Sequence, residues 1–155
     1  MKGNLSIIPF KTEHGLMMTR GIMNDPTVQI DKSWEEHLHN LEQPGKAFTA
    51  VHNGDCIVAG GITLLWEGVY EGWVIASNKI WDHPLAAARA VKKGLEQLIE
   101  QNKVVRLQTA VKQDFKLGHR FAQWLGLKNE GTMKKYVSNQ DHIRYARIIE
   151  WDYQQ

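Results

Sequence analysis

The chain has 155 residues, 43% of them hydrophobic, and a formal net charge of +2. This length and composition are typical of one folded globular domain and exclude a disordered chain. The basic residues are scattered, which argues against nucleic-acid binding, and there is neither a signal-peptide pattern nor an apolar run long enough for a membrane span, so we expect a cytoplasmic location.

The residues that often form metal or redox sites are few and poorly spaced. Cys56 is the only cysteine, which excludes an internal disulfide and any zinc site with two thiolates. We expect it to be a small buried hydrophobe. His37 and His39 do not share a helix face, so no metal site is predicted. The six tryptophans are expected mostly in core or half-buried positions, at residues 34, 66, 73, 81, 124 and 151.

The first part of the chain shows a strand signal followed by two helix signals. Residues 4–10 are typical of a short strand, and residues 11–24 carry apolar side chains near helical spacing. A second helix is predicted to begin near Asp31 or Ser33. Ser33 is a candidate because Glu36 follows it three residues later, in the capping-box pattern.

From residue 47 onward the pattern changes to three strands of an antiparallel meander, predicted at 47–51, 56–66 and 69–76. Asn53-Gly54 separates the first two strands and predicts a hairpin turn, because both residues tolerate positive φ. Gly60-Gly61 lies inside the second strand and indicates a bulge or a close backbone approach.

The second half begins with the clearest helix signal, which starts at Pro84 and ends near Asn102. A later helix is closed by Gly126, at the position where helices favour a left-handed cap. A strand is predicted at 104–111 and the later helix at 114–125. A hairpin of two strands follows, at 131–137 and 143–151. The whole order, β, α, α, β, β, β, α, β, α, β, β, predicts an α/β protein with a mixed sheet and helices on both faces.

This order resembles that of the GCN5-related N-acetyltransferase (GNAT) family, and the likeness covers nearly the whole chain. Residues 120–131, RFAQWLGLKNEG, are similar to the family's late helix ending in Leu-Gly-Phe and the strand that opens on Glu-Gly. Residues 71–76, EGWVIA, resemble its cofactor-facing fourth strand. The resemblance implies one domain over residues 1–155, with a mostly antiparallel sheet of six or seven strands whose fourth and fifth strands splay apart.

A narrower likeness concerns the run from Trp73 to Trp81, which has Ser77 and an early helix where the family has a glycine loop. This run is similar to acetyltransferase-like proteins encoded by tailed phages, some of which are internal virion or morphogenesis proteins. The likeness implies protein partners, further copies of the chain included, and a place in the host cytoplasm or the virion.

The resemblance also implies where acyl-CoA would bind. In the family the diphosphate lies on backbone N–H groups that open the helix after the fourth strand. Acetyl-CoA or CoA would then contact Val74, Ile75, Ala76, His83, Leu85, Ala86 and Arg89. The family cradle contains closely spaced glycines, but residues 79–87 contain none, Pro84 lacks an N–H donor and Asp82 adds negative charge. We therefore expect a degenerate site.

The catalytic positions that the resemblance implies are also altered. Ala122 stands where the family has its tyrosine acid, and Phe115 near its asparagine. Glu71 on the fourth strand is the candidate general base, with a solvent-facing carboxylate as the alternative. His52 and His119 could also act as bases, with solvent exposure or a satisfied hydrogen bond as the alternative.

Two functions are favoured at this point, and a third, a toxin or host-takeover factor of the same fold, is neither supported nor excluded by the sequence. The altered residues favour a GNAT-fold protein with a degenerate acyl-CoA site that acts through protein contacts, in a phage virion or assembly role, and is not an enzyme. The alternative is an active acetyl-CoA-dependent N-acetyltransferase that modifies an amine of a small molecule or protein. The fold by itself does not decide between them.

Overall fold

The computed structural model describes residues 4–20 and 32–152. In this part of the chain the strands are β1 (Ser6–Pro9), β2 (Ala47–His52), β3 (Asp55–Trp66), β4 (Val69–Ala76), β5 (Arg106–Lys112), β6 (Lys128–Val137) and β7 (Gln140–Ile148). The helices are α1 (Thr12–Arg20), α2 (Lys32–Leu41), α3 (Pro84–Asn102) and α4 (Lys116–Trp124). The predicted element order is confirmed, and the early helix expected after Ser77 is a 3₁₀ helix, Asn78–Asp82, that separates β4 from α3.

The seven strands form one sheet in the order β1-β2-β3-β4-β5-β7-β6. β4 and β5 run parallel, whereas β1 with β2, β2 with β3, β5 with β7 and β6 with β7 are antiparallel. The predicted mixed, mostly antiparallel sheet is therefore confirmed. The parallel register joins Val69–Glu71 to Arg106–Gln108, and such a short register is what splayed fourth and fifth strands require.

The chain divides into two compact units that alternate along the sequence. The first consists of the described residues of Met1–Thr63 and Trp73–Gln101, and the second of those of Leu64–Gly72 and Asn102–Gln155. The single domain predicted for residues 1–155 stays a prediction.

The first unit contains a buried cluster beneath α1 and α2, made of Phe10, Met18, Leu38, Leu41, Cys56 and Ala59. Cys56 was expected to be a small buried hydrophobe, and this is confirmed. Burial raises the pKa of its thiol, so little of it is present as the nucleophilic thiolate.

The helix predicted for residues 11–24 begins at Thr12 as α1 and is described to Arg20. Residues 21–24 lie outside the described residues, as does Asp31. α2 is described from Lys32 onward, between Asp31 and Ser33, near which it was predicted to begin. Ser33 lies inside the helix, so the capping-box pattern identified the helix but not its first residue.

The prediction of tryptophan burial is wrong for three of the six residues. Trp66, Trp81 and Trp124 are 66%, 68% and 46% exposed, whereas the tryptophans at 34, 73 and 151 are half-buried. Whether an indole is covered depends on which elements pack over it, and local sequence does not determine that.

Gly60-Gly61 marks a close backbone approach and not a bulge. The β2–β3 register runs regularly past both glycines, and its irregularity lies between Ala50 and Val51. A Cβ on Gly61 would lie 2.6 Å from Trp73 Cζ2 and 2.7 Å from the backbone oxygen of Lys46. This position therefore accepts only glycine without a shift of the backbone.

We expect Gly61→Ala to lower the free energy of unfolding by about 1–3 kcal/mol, because the carbonyl of Lys46 cannot rotate away. Urea denaturation measures the loss. Gly72→Ala is the matched control, since the nearest atom to its Cβ would be the side-chain Cδ1 of Leu107 at 3.2 Å, and the nearest backbone atom, the Gln108 oxygen, would lie at 3.9 Å. Equal losses in the two variants would contradict this explanation.

His14 connects α1 to β2 through a partly buried hydrogen bond. Its Nδ1 accepts the backbone N–H of Lys11 at 3.1 Å and lies 2.8 Å from Oγ1 of Thr49, which is fully buried. Since Nδ1 acts as an acceptor, the folded protein favours the neutral ring. Burial lowers the pKa of His14, the charge of Lys11 acts in the same direction, and the carboxylates of Glu13 and Glu42 oppose them.

A lowered pKa means that the unfolded chain binds a proton more readily than the folded one. The contribution of His14 to stability is therefore complete above the ordinary pKa of 6.5 and is lost as the pH falls below it. We expect the melting temperature to fall between pH 7.5 and 5.5, and His14→Asn, which retains an acceptor, to reduce that slope. His39→Gln, with His14 intact, should keep it.

Candidate functional site

The junction between β4 and α3 in the first unit is organised by Ser77. Its backbone N–H donates to the carbonyl of Ile57 on β3, at 3.0 Å. Its hydroxyl accepts the N–H of Lys79 at 3.0 Å, and its carbonyl accepts the N–H of Ile80 at 3.1 Å. The buried serine thus begins the 3₁₀ helix and ties it to the sheet.

The same hydrogen-bond series continues into α3. The N–H of His83 donates to the carbonyl of Ile80 at 3.0 Å, and the N–H of Ala87 donates to the carbonyl of His83 at 2.8 Å. Pro84, the first residue of α3, has no N–H. In the first turn of α3 the amides left without an intrahelical acceptor are therefore those of Leu85 and Ala86.

The charges at this junction do not favour a diphosphate. Asp82 is exposed and lies two residues before Pro84, the first residue of α3. Lys79, the basic residue of the segment, forms an ion pair with Asp55, with 2.7 Å between Nζ and Oδ1. Arg89 lies further along α3 and is exposed. The anion-attracting end of the helix dipole thus has an acidic side chain beside it.

The predicted cofactor-binding residues of β4 differ in their surroundings. Val74 is exposed, whereas Ile75 is partly buried and packs against the apolar cluster that contains Phe10 and Cys56. Ala76 is half-buried. Of these three side chains, that of Val74 presents the largest open surface.

The predicted cofactor-binding residues of α3 lie together at its first two turns, but only some are accessible. Leu85 is 69% exposed, Ala86 is half-buried and Arg89 is exposed. His83 is half-buried, and its Nδ1 has no hydrogen-bond partner among the described residues. Its ring lies 4.6 Å from that of His52, at the end of β2. Sequence reasoning missed this pair because 31 positions separate the two histidines.

Glu71, the candidate base, lies in the second unit within a polar network. Nη1 of Arg144 lies 3.3 Å from its Oε2, to which Nε2 of Gln108 also donates, at 3.2 Å. Arg144 donates in turn to the hydroxyl of Tyr136 at 3.2 Å. The carboxylate is thus an ion-paired strand residue whose side chain remains 31% exposed.

The network extends across the sheet of the second unit. Gln108 accepts from Nε of Arg106 at 2.9 Å, and Nη1 of Arg106 donates to Glu130 at 3.1 Å. Hydrogen bonding between Arg106 and Glu130 lowers the pKa of the Glu130 carboxyl. The chain of contacts therefore places Glu71 among residues of β5, β6 and β7, none of which the sequence identified as its partners.

His119 has partners at both ring nitrogens. Nε2 lies 2.8 Å from the carbonyl of Gln113, which can only accept, and Nδ1 lies 2.9 Å from the hydroxyl of Tyr145. This supports the alternative of a satisfied histidine. At the family's tyrosine and asparagine positions, Ala122 is buried and Phe115 is exposed.

Residues 4–20 and 32–152 contain no group of three or more His, Cys, Asp or Glu side chains placed to hold a metal ion. No helix in the same ranges is both long and apolar enough to cross a bilayer.

No protein-family model matches the sequence, and no curated protein does. Solved structures match over nearly the whole chain. Ard1 from Thermoplasma volcanium has a TM-score of 0.76 and 14% identity, over 96% of this chain and 100% of that one. The protein has the GNAT fold.

Two more solved structures with the GNAT fold match this chain. An acetyltransferase of the GNAT family from Bacillus anthracis has a TM-score of 0.71 and 18% identity, over 94% of this chain and 95% of that one. Mycobacterium smegmatis RimJ, in complex with CoA-disulfide, has a TM-score of 0.69 and 16% identity, over 93% of this chain and 81% of that one. Such identities show the fold alone, and the narrower likeness to phage proteins stays a prediction.

The hydrogen bonds of the junction predict its amide exchange. We expect the amides of Ile80, His83 and Ala87 to exchange at least about tenfold more slowly than those of Leu85 and Ala86, because the latter two have no intrahelical acceptor. Hydrogen–deuterium exchange followed by NMR measures this difference.

The variant Ser77→Ala tests the side-chain hydrogen bond with which Ser77 begins the 3₁₀ helix. Loss of the hydroxyl should accelerate exchange at Lys79, whose N–H the hydroxyl accepts, and leave Ala87 unchanged. Rapid exchange at Ile80 and His83 in the unmodified protein would contradict the closed junction.

Proposed function

We propose that this protein uses the GNAT fold to make protein contacts and has a degenerate acyl-CoA site. One observation carries the proposal: the amides of Lys79, Ile80 and His83 are already bonded inside the β4–α3 junction, and residue 84 is proline. A diphosphate bound at a helix start needs several such amides pointing outward.

The remaining groups do not compensate for these losses. The first turn of α3 offers the amides of Leu85 and Ala86, while the Asp82 carboxylate lies next to the same helix start. Lys79 is held by Asp55. The residues present therefore do not fit the diphosphate of acyl-CoA, and we assign no reaction step to that cofactor.

A place in phage particle assembly is one setting for such a contact protein. The resemblance of the Trp73–Trp81 run to phage-encoded acetyltransferase-like proteins supports this setting, in the host cytoplasm or the virion. The exposed indole of Trp81 is a further feature of a contact surface.

The alternative is an acetyl-CoA-dependent N-acetyltransferase that acts on an amine of a small molecule or protein. The names of the solved structures and the CoA-disulfide complex of RimJ favour it. Glu71 would be its base, but the carboxylate would first have to release part of its bonding to Arg144 and Gln108.

Calorimetric titration of the full chain with acetyl-CoA and with CoA tests the proposal. We expect no saturable heat, which corresponds to a Kd weaker than about 1 mM. The double variant Asp82→Asn/Pro84→Ala removes the charge and restores an N–H donor, and should bind CoA at least about tenfold more tightly than the unmodified chain.

Micromolar binding by the unmodified chain would overturn the degenerate site and favour the N-acetyltransferase. In that case Glu71→Gln should retain CoA binding and lose acetyl transfer to amines. Thermal unfolding of each variant is the control for a folded protein.

A further inference from the structure

The start of α3 carries the most exposed large apolar side chains of the described chain. Leu85 and Trp81 are 69% and 68% exposed. Trp81 belongs to the 3₁₀ helix and Leu85 is the second residue of α3, so the two lie close in sequence at the same junction. A neighbouring exposed tryptophan and leucine are typical of a surface that binds another protein.

Opposite charges flank this apolar pair. Asp82 precedes Leu85 by three residues and Arg89 follows it by four, and both are exposed. Leu85 and Arg89 lie on one face of α3 because they are one helical turn apart. Along the chain, the exposed residues of this junction therefore run from apolar and negative, at Trp81 and Asp82, through apolar Leu85 to positive Arg89.

We propose that Trp81, Asp82, Leu85 and Arg89 form the interface of a two-fold symmetric homodimer, which rests on the proposed contact function. Such an interface uses the same surface on both copies, so each of these residues contacts residues of this same set in the second copy. If two α3 helices cross antiparallel near Leu85, Asp82 of each copy lies beside Arg89 of the other. The surface is thus complementary to itself, and a second copy is the partner that this arrangement of charges fits.

The composition of this surface matches that of known interfaces. A stable interface buries about 800 Å² on each partner, with aromatic and aliphatic side chains at the centre and charges at the rim. One buried tryptophan supplies about 150–250 Å² of this area. The hydrogen bonds of Ser77 also hold the segment in place before binding, which reduces the ordering cost of association.

Light scattering coupled to size exclusion tests the dimer on the full chain. We expect twice the chain mass of 17.8 kDa at micromolar protein concentration. Leu85→Lys and Trp81→Ala should each weaken dimerisation at least about tenfold, because they remove the apolar centre. Trp66→Ala and Trp124→Ala, at other exposed tryptophans, should leave it unchanged.

Charge reversal tests the two-fold geometry. Asp82→Arg and Arg89→Asp should each weaken self-association about tenfold or more, because both then bring like charges together. The double reversal should restore the dimer. A mixture of the two single variants should form heterodimers, because each copy then presents charges of one sign to a partner of the opposite sign.

A chain that stays monomeric up to about 200 µM, a dimer insensitive to Leu85→Lys, or a double reversal without recovery would each overturn the interface. Far-ultraviolet circular dichroism verifies that the variants are folded. The CoA titration is independent of this test: a monomer that does not bind CoA overturns only the interface, and a dimer that binds CoA at micromolar concentration overturns only the degenerate site.

Discussion

The hydrogen bonds made by Ser77 determine what the β4–α3 junction can do. Its amide is tied to β3, while its hydroxyl and carbonyl capture the amides of Lys79 and Ile80. A backbone N–H that bonds inside the protein is not available to a ligand unless that bond breaks. The amides that Ser77 captures in the 3₁₀ helix are therefore bonded within the protein, and Pro84 removes one more donor at the point where α3 begins.

The same junction carries two exposed apolar side chains. Trp81 and Leu85 lie at the start of α3 with most of their area exposed, which is unfavourable for a solitary domain and favourable for an association surface. Under the proposed function, the degenerate acyl-CoA site and this apolar surface belong to one structural element. The contact function and the dimer interface are linked through it, although CoA binding and self-association test them separately.

In the second unit, the candidate general base is already engaged by other side chains. Glu71 is where the resemblance places a base, but its carboxylate is bonded to Arg144 and Gln108 within a network that continues to Glu130. Such a network stabilises a charged carboxylate, and in this fold it serves equally well to hold neighbouring strands in register. The family position of Glu71 is therefore compatible with a purely structural role, and the family fold does not by itself imply the family reaction.

The sequence by itself determined the element order, the turn at Asn53-Gly54, where both residues have positive φ, and the left-handed Gly126 after α4. These features depend on local propensity and hydrophobic period, which neighbouring residues set. It also identified the missing glycines and Pro84 at the junction. Only the tertiary structure decided the bond that ties Ser77 to β3, the exposure of Trp81 and the partners of Glu71, because each depends on residues distant in sequence, such as Ile57 for Ser77 and Arg144 for Glu71. Contacts of this kind form only when the sheet brings separate strands together, and no local pattern records them.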